Sequence, residues 1–174
     1  MGRSSPKKAG SKTDSHYARR KTPDFSPPSD GVVGHYRIQH WIGKGAFGSV
    51  FKATSLRSKK DYALKVIKPV GKYVRNAKEE VAKLDLISSL DSKNKLFVRL
   101  FRAFDYHKNF VMVFELLGVS LLELIRKNEQ KGLSVKCVAA IAREIFRGLR
   151  VLHQNNLVHT DLKVPSSARQ HRLP

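Results

Sequence analysis

Acidic residues and cysteines are scarce in this chain. It has 14 Asp and Glu against 34 Lys and Arg, and a single cysteine, in 174 residues. The lone Cys137 excludes an internal disulfide and fits a reducing compartment. No signature of a catalytic thiol surrounds it, so it reads as a helix core residue. No apolar run approaches the roughly 20 residues that cross a bilayer, and the N-terminus lacks the apolar core of a secretory signal. Membrane association is not expected. Met1-Gly2 does not make an acylation site, because Pro6 stands where Ser or Thr is required. The acidic deficit leaves a net charge of +20, a surface that attracts polyanions. Yet no aromatic-and-basic stacking pattern and no groove-reading motif accompanies it. Direct nucleic-acid binding therefore ranks behind a simpler account, that the chain is the basic part of a domain whose acidic part lies elsewhere.

Composition divides the chain. Residues 1–34 are rich in Ser, Pro, Lys and Arg, poor in apolar side chains, and carry a net +4, leaving +16 for the rest. Such a stretch cannot offset the entropy of ordering, so a disordered tail is predicted over 1–34. Lys7-Lys8 and Arg19-Arg20-Lys21 are spaced like a bipartite nuclear import signal. Ser5-Pro6, Thr22-Pro23 and Ser26-Pro27 are candidate sites for proline-directed modification. From residue 35 the pattern is that of a folded domain. Strands are predicted over 36–42, 49–54, 61–68, 97–106 and 109–116, with Tyr62, Leu64 and Val66 alternating against Ala63, Lys65 and Ile67. A helix is predicted over 73–90, from Val74, Ala77, Val81 and Leu84 at helical spacing. A short helix over 121–128 follows, and then a long one that opens after the N-cap candidate Ser134 and runs to about 155. The long helix carries an apolar stripe of Val135, Val138, Ala139, Ala142, Ile145, Phe146, Leu149 and Leu152, which needs a packing partner. There is no internal repeat. The predicted fold class is α+β: a five-stranded antiparallel sheet with one helix over 35–117, then the first helices of a helical lobe over 118–163.

Four short motifs carry chemistry. Gly43-Lys44-Gly45-Ala46-Phe47-Gly48-Ser49-Val50 fits G-x-G-x-x-G-x-V. It lies between two strands with no helix opening after it, which argues against a dinucleotide-binding turn and for a loop that cradles phosphates. Tyr62-Ala63-Leu64-Lys65 places a lysine on the third strand in the manner of V-A-I-K. Phe114-Glu115-Leu116-Leu117-Gly118 follows the fifth strand, and His159-Thr160-Asp161-Leu162-Lys163 comes last. Glu80 lies on the Val81 and Leu84 side of its helix and is the natural partner for Lys65. Glu79 points about 100° away.

In this order the motifs resemble a eukaryotic protein kinase. The runs HTDLK at 159–163, FDYH at 104–107 and FELLGVS at 114–120, with Lys72-Tyr73 ahead of the helix, are most similar to the LAMMER-type, or Cdc-like, dual-specificity kinases. Splicing-factor kinases share His-Thr-Asp but usually continue with Ile. The resemblance covers about residues 35–163. It implies ATP and Mg²⁺ as cofactors. Ile42, Gly43, Gly45, Gly48 and Val50 would form the roof over the nucleotide, with Ala63 on the adenine and Lys65 on the α- and β-phosphates. Phe114 would be a bulky gatekeeper, and Glu115 and Leu117 would form the hinge. Asp161 would orient the substrate hydroxyl and accept its proton, and Lys163 would neutralise charge on the transferred phosphoryl group. Thr160 replaces an Arg that commonly pairs with a phosphorylated activation loop, which implies no such dependence. The implied activity is phosphorylation of Ser and Thr, with Tyr autophosphorylation, on Arg/Ser-rich splicing factors in the nucleus.

The pattern departs from the family after Lys163. Val164-Pro165 stands for Pro-Glu, Ser166 for the metal-binding Asn, and no Asp-Phe-Gly follows. Residues 164–174 therefore read as a divergent tail of the kind a frameshift or retained intron leaves. No metal ligand can be assigned, and the chain is expected to be inactive as it stands. Two alternatives accompany the enzyme: a non-catalytic kinase-fragment binding module, and a basic nucleic-acid-binding protein.

Overall fold

The computed structural model describes residues 24–91, 96–129 and 131–162. The elements run β1 (Val32–Val33), β2 (Tyr36–Lys44), β3 (Gly48–Ser55), β4 (Asp61–Ile67), α1 (Gly71–Leu90), β5 (Leu100–Tyr106), β6 (Asn109–Glu115), α2 (Leu121–Lys127) and α3 (Val135–Gln154). The strands form one antiparallel sheet in the order β1-β2-β3-β4-β6-β5. The class is α+β, as predicted, with β1 added as a sixth strand.

Strand alternation sorts the side chains onto two faces. Phe51, Leu64 and Val113 stand opposite one another across β3, β4 and β6, as do Ser49, Val66 and Val111. With Val33, Tyr36 and Ala53 they make the buried core of the outer face. The opposite face carries Ile67, Phe110 and Met112, against which α1 lays Ala77. Tyr73, Val74, Val81 and Leu84 are partly buried around that contact. Ala77 is the only fully buried residue among the described side chains of α1. No side chain caps this helix, because Val70 occupies the N-cap position. By contrast, Ser120 caps α2 through the Glu123 N–H, and Ser134 caps α3 through the Cys137 N–H.

The predicted boundary at residue 35 needs correction. Residues 1–23 lie outside the described residues, but 24–34 are tied to the sheet. Phe25 meets Phe51 edge-on at 5.9 Å, and Val33 is fully buried. The Tyr106 hydroxyl donates to the Val32 carbonyl at 3.2 Å. Each fully buried apolar side chain contributes roughly 1.5–3 kcal/mol, a gain that the Ser/Pro-rich composition conceals. The fourth predicted strand, 97–106, also starts later, at Leu100. The Asp91 carboxylate takes the N–H groups of Leu96 and Phe97, so that Phe97 turns toward α3 instead of pairing in the sheet. A Cβ on Gly148 would sit 3.7 Å from its ring.

On α3, Leu152 and Gly148 are buried, while Val135, Val138, Ile145 and Phe146 are exposed. Cys137 is only partly buried. Among the described residues no helix is long and apolar enough to cross a membrane.

Candidate functional site

The register places most of the candidate residues on the α1 side of the sheet. Val50, Lys65 and Met112 are mutually opposite, and Ala63 stands opposite both Lys52 and Phe114. Gly43 pairs with Val50 and so joins the same face. Glu80 lies three residues beyond the buried Ala77, close to one helical turn, so its carboxylate comes down beside β4. The Lys65 Nζ donates to both Glu80 carboxylate oxygens at 2.7 Å. Both side chains keep part of their surface in solvent, so the ion pair is a reachable feature of the site. Glu79 is exposed.

The Gly-rich loop closes on itself and on its surroundings. The Gly45 N–H donates to the Gly48 carbonyl at 2.9 Å, and the Lys68 N–H to the Phe47 carbonyl at 3.0 Å. The Phe47 ring lies 5.2 Å from that of Tyr73, joining the loop tip to the first turn of α1. The three motif glycines have different reasons to be glycine. A Cβ at Gly48 would lie 2.1 Å from the Val66 carbonyl oxygen, so the fold itself demands glycine there. At Gly43 a Cβ would meet nothing within 4 Å, and at Gly45 only the Gly48 carbonyl at 3.8 Å. Packing places no demand on those two, which leaves their backbone open to close approach by a ligand. Ile42, just before the loop, is 44% exposed.

After β6 the chain enters the predicted hinge. Phe114 is partly buried against the α1 cluster. The Glu115 N–H donates to the Arg99 carbonyl at 3.0 Å, and the Glu115 carboxylate accepts from the Arg99 N–H at 2.7 Å. The Glu115 N–H is thus engaged by the residue that precedes β5. Leu117 follows, half-buried, in the connection to α2.

Asp161 is exposed, and neither Lys65 nor Glu80 bonds to it. Its N–H donates to the His159 carbonyl at 2.9 Å and lies 3.3 Å from His159 Nδ1. This closes a three-residue turn with Thr160 at its centre and φ at +62°. A β-branched residue is strained in that region. Lys163 and Ser166 lie outside the described residues. No group of three His, Cys, Asp or Glu side chains able to hold a metal ion occurs among the described residues. The open Gly43 and Gly45 positions and the Lys65–Glu80 pair fit the phosphates of a nucleotide.

One participant was missed from the sequence. The Asp24 carboxylate bridges Lys44 at 2.8 Å and Lys68 at 3.2 Å, and its N–H donates to Ser49 Oγ at 2.8 Å. The Lys44 hydrogen bond, helped by Lys68, outweighs partial burial and holds the Asp24 carboxyl below the usual carboxylate range. A single acidic residue in a Ser/Pro-rich stretch leaves no periodic signal.

Comparison with known proteins agrees with this geometry. Dual specificity tyrosine-phosphorylation-regulated kinase 3 of Macaca fascicularis is 32% identical over 145 residues, which cover 83% of this chain and 26% of that protein. Dual specificity protein kinase CLK2 of Mus musculus is 36% identical over 136 residues, covering 77% of this chain and 27% of that one. Serine/threonine-protein kinase AFC1 of Arabidopsis thaliana is 31% identical over 134 residues, covering 77% of this chain and 29% of that one. The chain thus spans between a quarter and a third of the length of these relatives. A crystal structure of a kinase domain superposes with a TM-score of 0.75 at 32% identity, over 81% of this chain and 42% of that one. The family model described as protein kinase domain matches residues 36–165, and the chain belongs to that family.

Proposed function

We propose that this chain carries the nucleotide-binding half of an ATP-dependent protein kinase that phosphorylates Ser and Thr, with dual specificity. The observation that carries the proposal is the Lys65–Glu80 ion pair, 2.7 Å long, on the same sheet face as Gly43, Val50, Ala63 and Phe114. A lysine held at this angle by a carboxylate presents its remaining N–H bonds to phosphate oxygens at little further entropic cost. ATP would supply the phosphoryl group. Gly43 and Gly45 would admit the phosphates to the backbone, and Val50 and Ala63 would cover the base. Asp161 would orient the acceptor hydroxyl, and Lys163 would stand by the transferred group. The HTDLK, FDYH and FELLGVS runs support a LAMMER-like specificity, and through it Arg/Ser-rich splicing factors as substrates. The basic clusters at Lys7-Lys8 and Arg19-Arg20-Lys21 support a nuclear location.

Ser166 stands at the position of the metal-binding Asn, and a hydroxyl is a poorer ligand for Mg²⁺ than an amide or carboxylate oxygen. This substitution favours a second reading, in which the chain binds nucleotide or kinase partners while transferring phosphate poorly. Titration of ATP into the wild-type chain and into Lys65→Met, with an Arg/Ser-rich peptide and radiolabelled ATP in parallel, tests both. Binding in the wild type and its loss in a folded Lys65→Met chain support the nucleotide site. Equal binding by both sinks it. Label incorporation into the peptide distinguishes the enzyme from the binding module.

A further inference from the structure

We propose that Asp24 is a positioning residue that pins the Gly-rich loop from the face of the sheet opposite the candidate nucleotide site. The consequence for nucleotide binding rests on the function proposed above; the pinning itself does not.

The geometry makes the case. Lys44 precedes the loop tip and stands opposite Ser49, which follows it, on the outer face of the sheet. Ser49 is fully buried there. Lys68 continues β4 and holds the loop tip through its backbone, its N–H donating to the Phe47 carbonyl. Asp24 engages all three: Lys44 with one carboxylate oxygen, Lys68 with the other, and the Ser49 hydroxyl with its N–H. Three anchors at separate points around a short loop restrain translation and rotation together, which no single ion pair does. Phe25, seated on Phe51, fixes where Asp24 sits. The arrangement also keeps the Lys44 ammonium on the outer face. Without Asp24, the loop would lose the outer-face anchor that joins Lys44, Ser49 and Lys68, while the Phe47 carbonyl bond and the Phe47–Tyr73 contact would remain.

The bland alternative is that Asp24 merely helps to dock residues 24–34. The two accounts separate in amide hydrogen exchange of the full chain without nucleotide, comparing wild type, Asp24→Asn, Asp24→Glu and Lys68→Gln. Pinning predicts that the amides of residues 45–49 exchange roughly three- to tenfold faster in Asp24→Asn, the range expected when a pair of part-exposed ion pairs is lost. The amides of 109–115, in the sheet centre, should be unchanged. Asp24→Glu should recover most of the protection, and Lys68→Gln should give a smaller increase at the same amides. An unchanged loop in Asp24→Asn overturns the proposal. So does equal acceleration at 109–115, or failure of Glu to rescue. Should Asp24→Asn not fold, Lys68→Gln alone decides, since it leaves the Lys44 and Ser49 contacts in place. Adding ATP to the wild type is a separate arm. Absence of any protection at 43–49 counts against the nucleotide site and leaves the pinning result standing.

Discussion

Replacing Gly48 with alanine should destabilise the sheet far more than replacing Gly45, although both belong to one motif. The added methyl at 48 would lie 2.1 Å from the Val66 carbonyl oxygen, 2.9 Å from its carbonyl carbon and 3.0 Å from Ile67 Cα. Ordinary contact between such atoms needs roughly 3.5 Å, so β3 and β4 would have to part by more than 1 Å at this end. All three neighbours are backbone, and none can rotate away as a side chain does. A separation of that size disrupts the Gly48–Ile67 end of the ladder and disturbs Ser49 beneath it. Overpacking against rigid atoms, together with broken ladder bonds, should cost about 3–5 kcal/mol, a large share of the roughly 5–15 kcal/mol available to a domain. Thermal unfolding followed by circular dichroism should show a fall in Tm of about 10–20 °C. Gly45→Ala, with only the Gly48 carbonyl at 3.8 Å, should leave stability unchanged or raise it by up to about 1 kcal/mol. Its effect should appear only as weaker ATP binding. A Gly48→Ala chain that melts within 2–3 °C of wild type, at roughly half a kcal/mol, would refute the reasoning, because it would show that the two strands yield at this point.

Other perturbations have equally definite outcomes. Glu80→Gln should change stability by less than about 1 kcal/mol, because the ion pair with Lys65 is part-exposed, yet it should weaken ATP binding measured by calorimetry, since Lys65 is then no longer held. Ser134→Ala removes the α3 cap on the Cys137 N–H and should lower stability by about 1 kcal/mol in urea unfolding. Thr160→Asn relieves a β-branched residue at φ +62° and should raise stability by about 1 kcal/mol in the same assay. Asp61 accepts hydrogen bonds from Lys52 and Thr54, which hold its carboxyl below the usual range. Its stabilising contribution is therefore complete above the ordinary carboxylate pKa and lost as pH falls through the depressed value. Asp61→Asn should flatten the acid limb of Tm against pH.

How much of this was legible in the sequence depended on whether a local pattern existed. Period-two alternation around Leu64 and Val66 marked β4, and Ser134 before an apolar stripe marked α3, because these signals are intrinsic to each segment. The Lys65–Glu80 pair was legible for the same reason. The helical spacing of Ala77, Val81 and Leu84 decides which face meets the sheet, and Glu80 shares it. Residues 24–34 were not legible. Their order comes from Phe51, Ser49, Lys44 and Lys68, partners 20 or more residues away whose positions are known only once the sheet exists. Phe97 failed differently. It has a strand-like sequence, but a side chain outside the strand, Asp91, competes for its N–H and wins. The distinct demands on Gly43, Gly45 and Gly48 also required the fold, since the motif treats them alike.

The sheet has two edges, and each is blunted. At one end β1 is only two residues long. At the other, β5 changes register between Leu100 and Arg102, and it carries Arg102 and Asp105. Short or bulged edges bearing charge are poor templates for strand addition by another chain. The exposed Val135, Val138, Ile145 and Phe146 of α3 are a different matter, since helix faces pair through side chains and need no open ladder. At high concentration this protein should therefore self-associate through α3, with its helical content retained. Fibrillar assemblies built from the sheet should be disfavoured, and charged substitutions on α3 should raise solubility where substitutions on β1 or β5 do not.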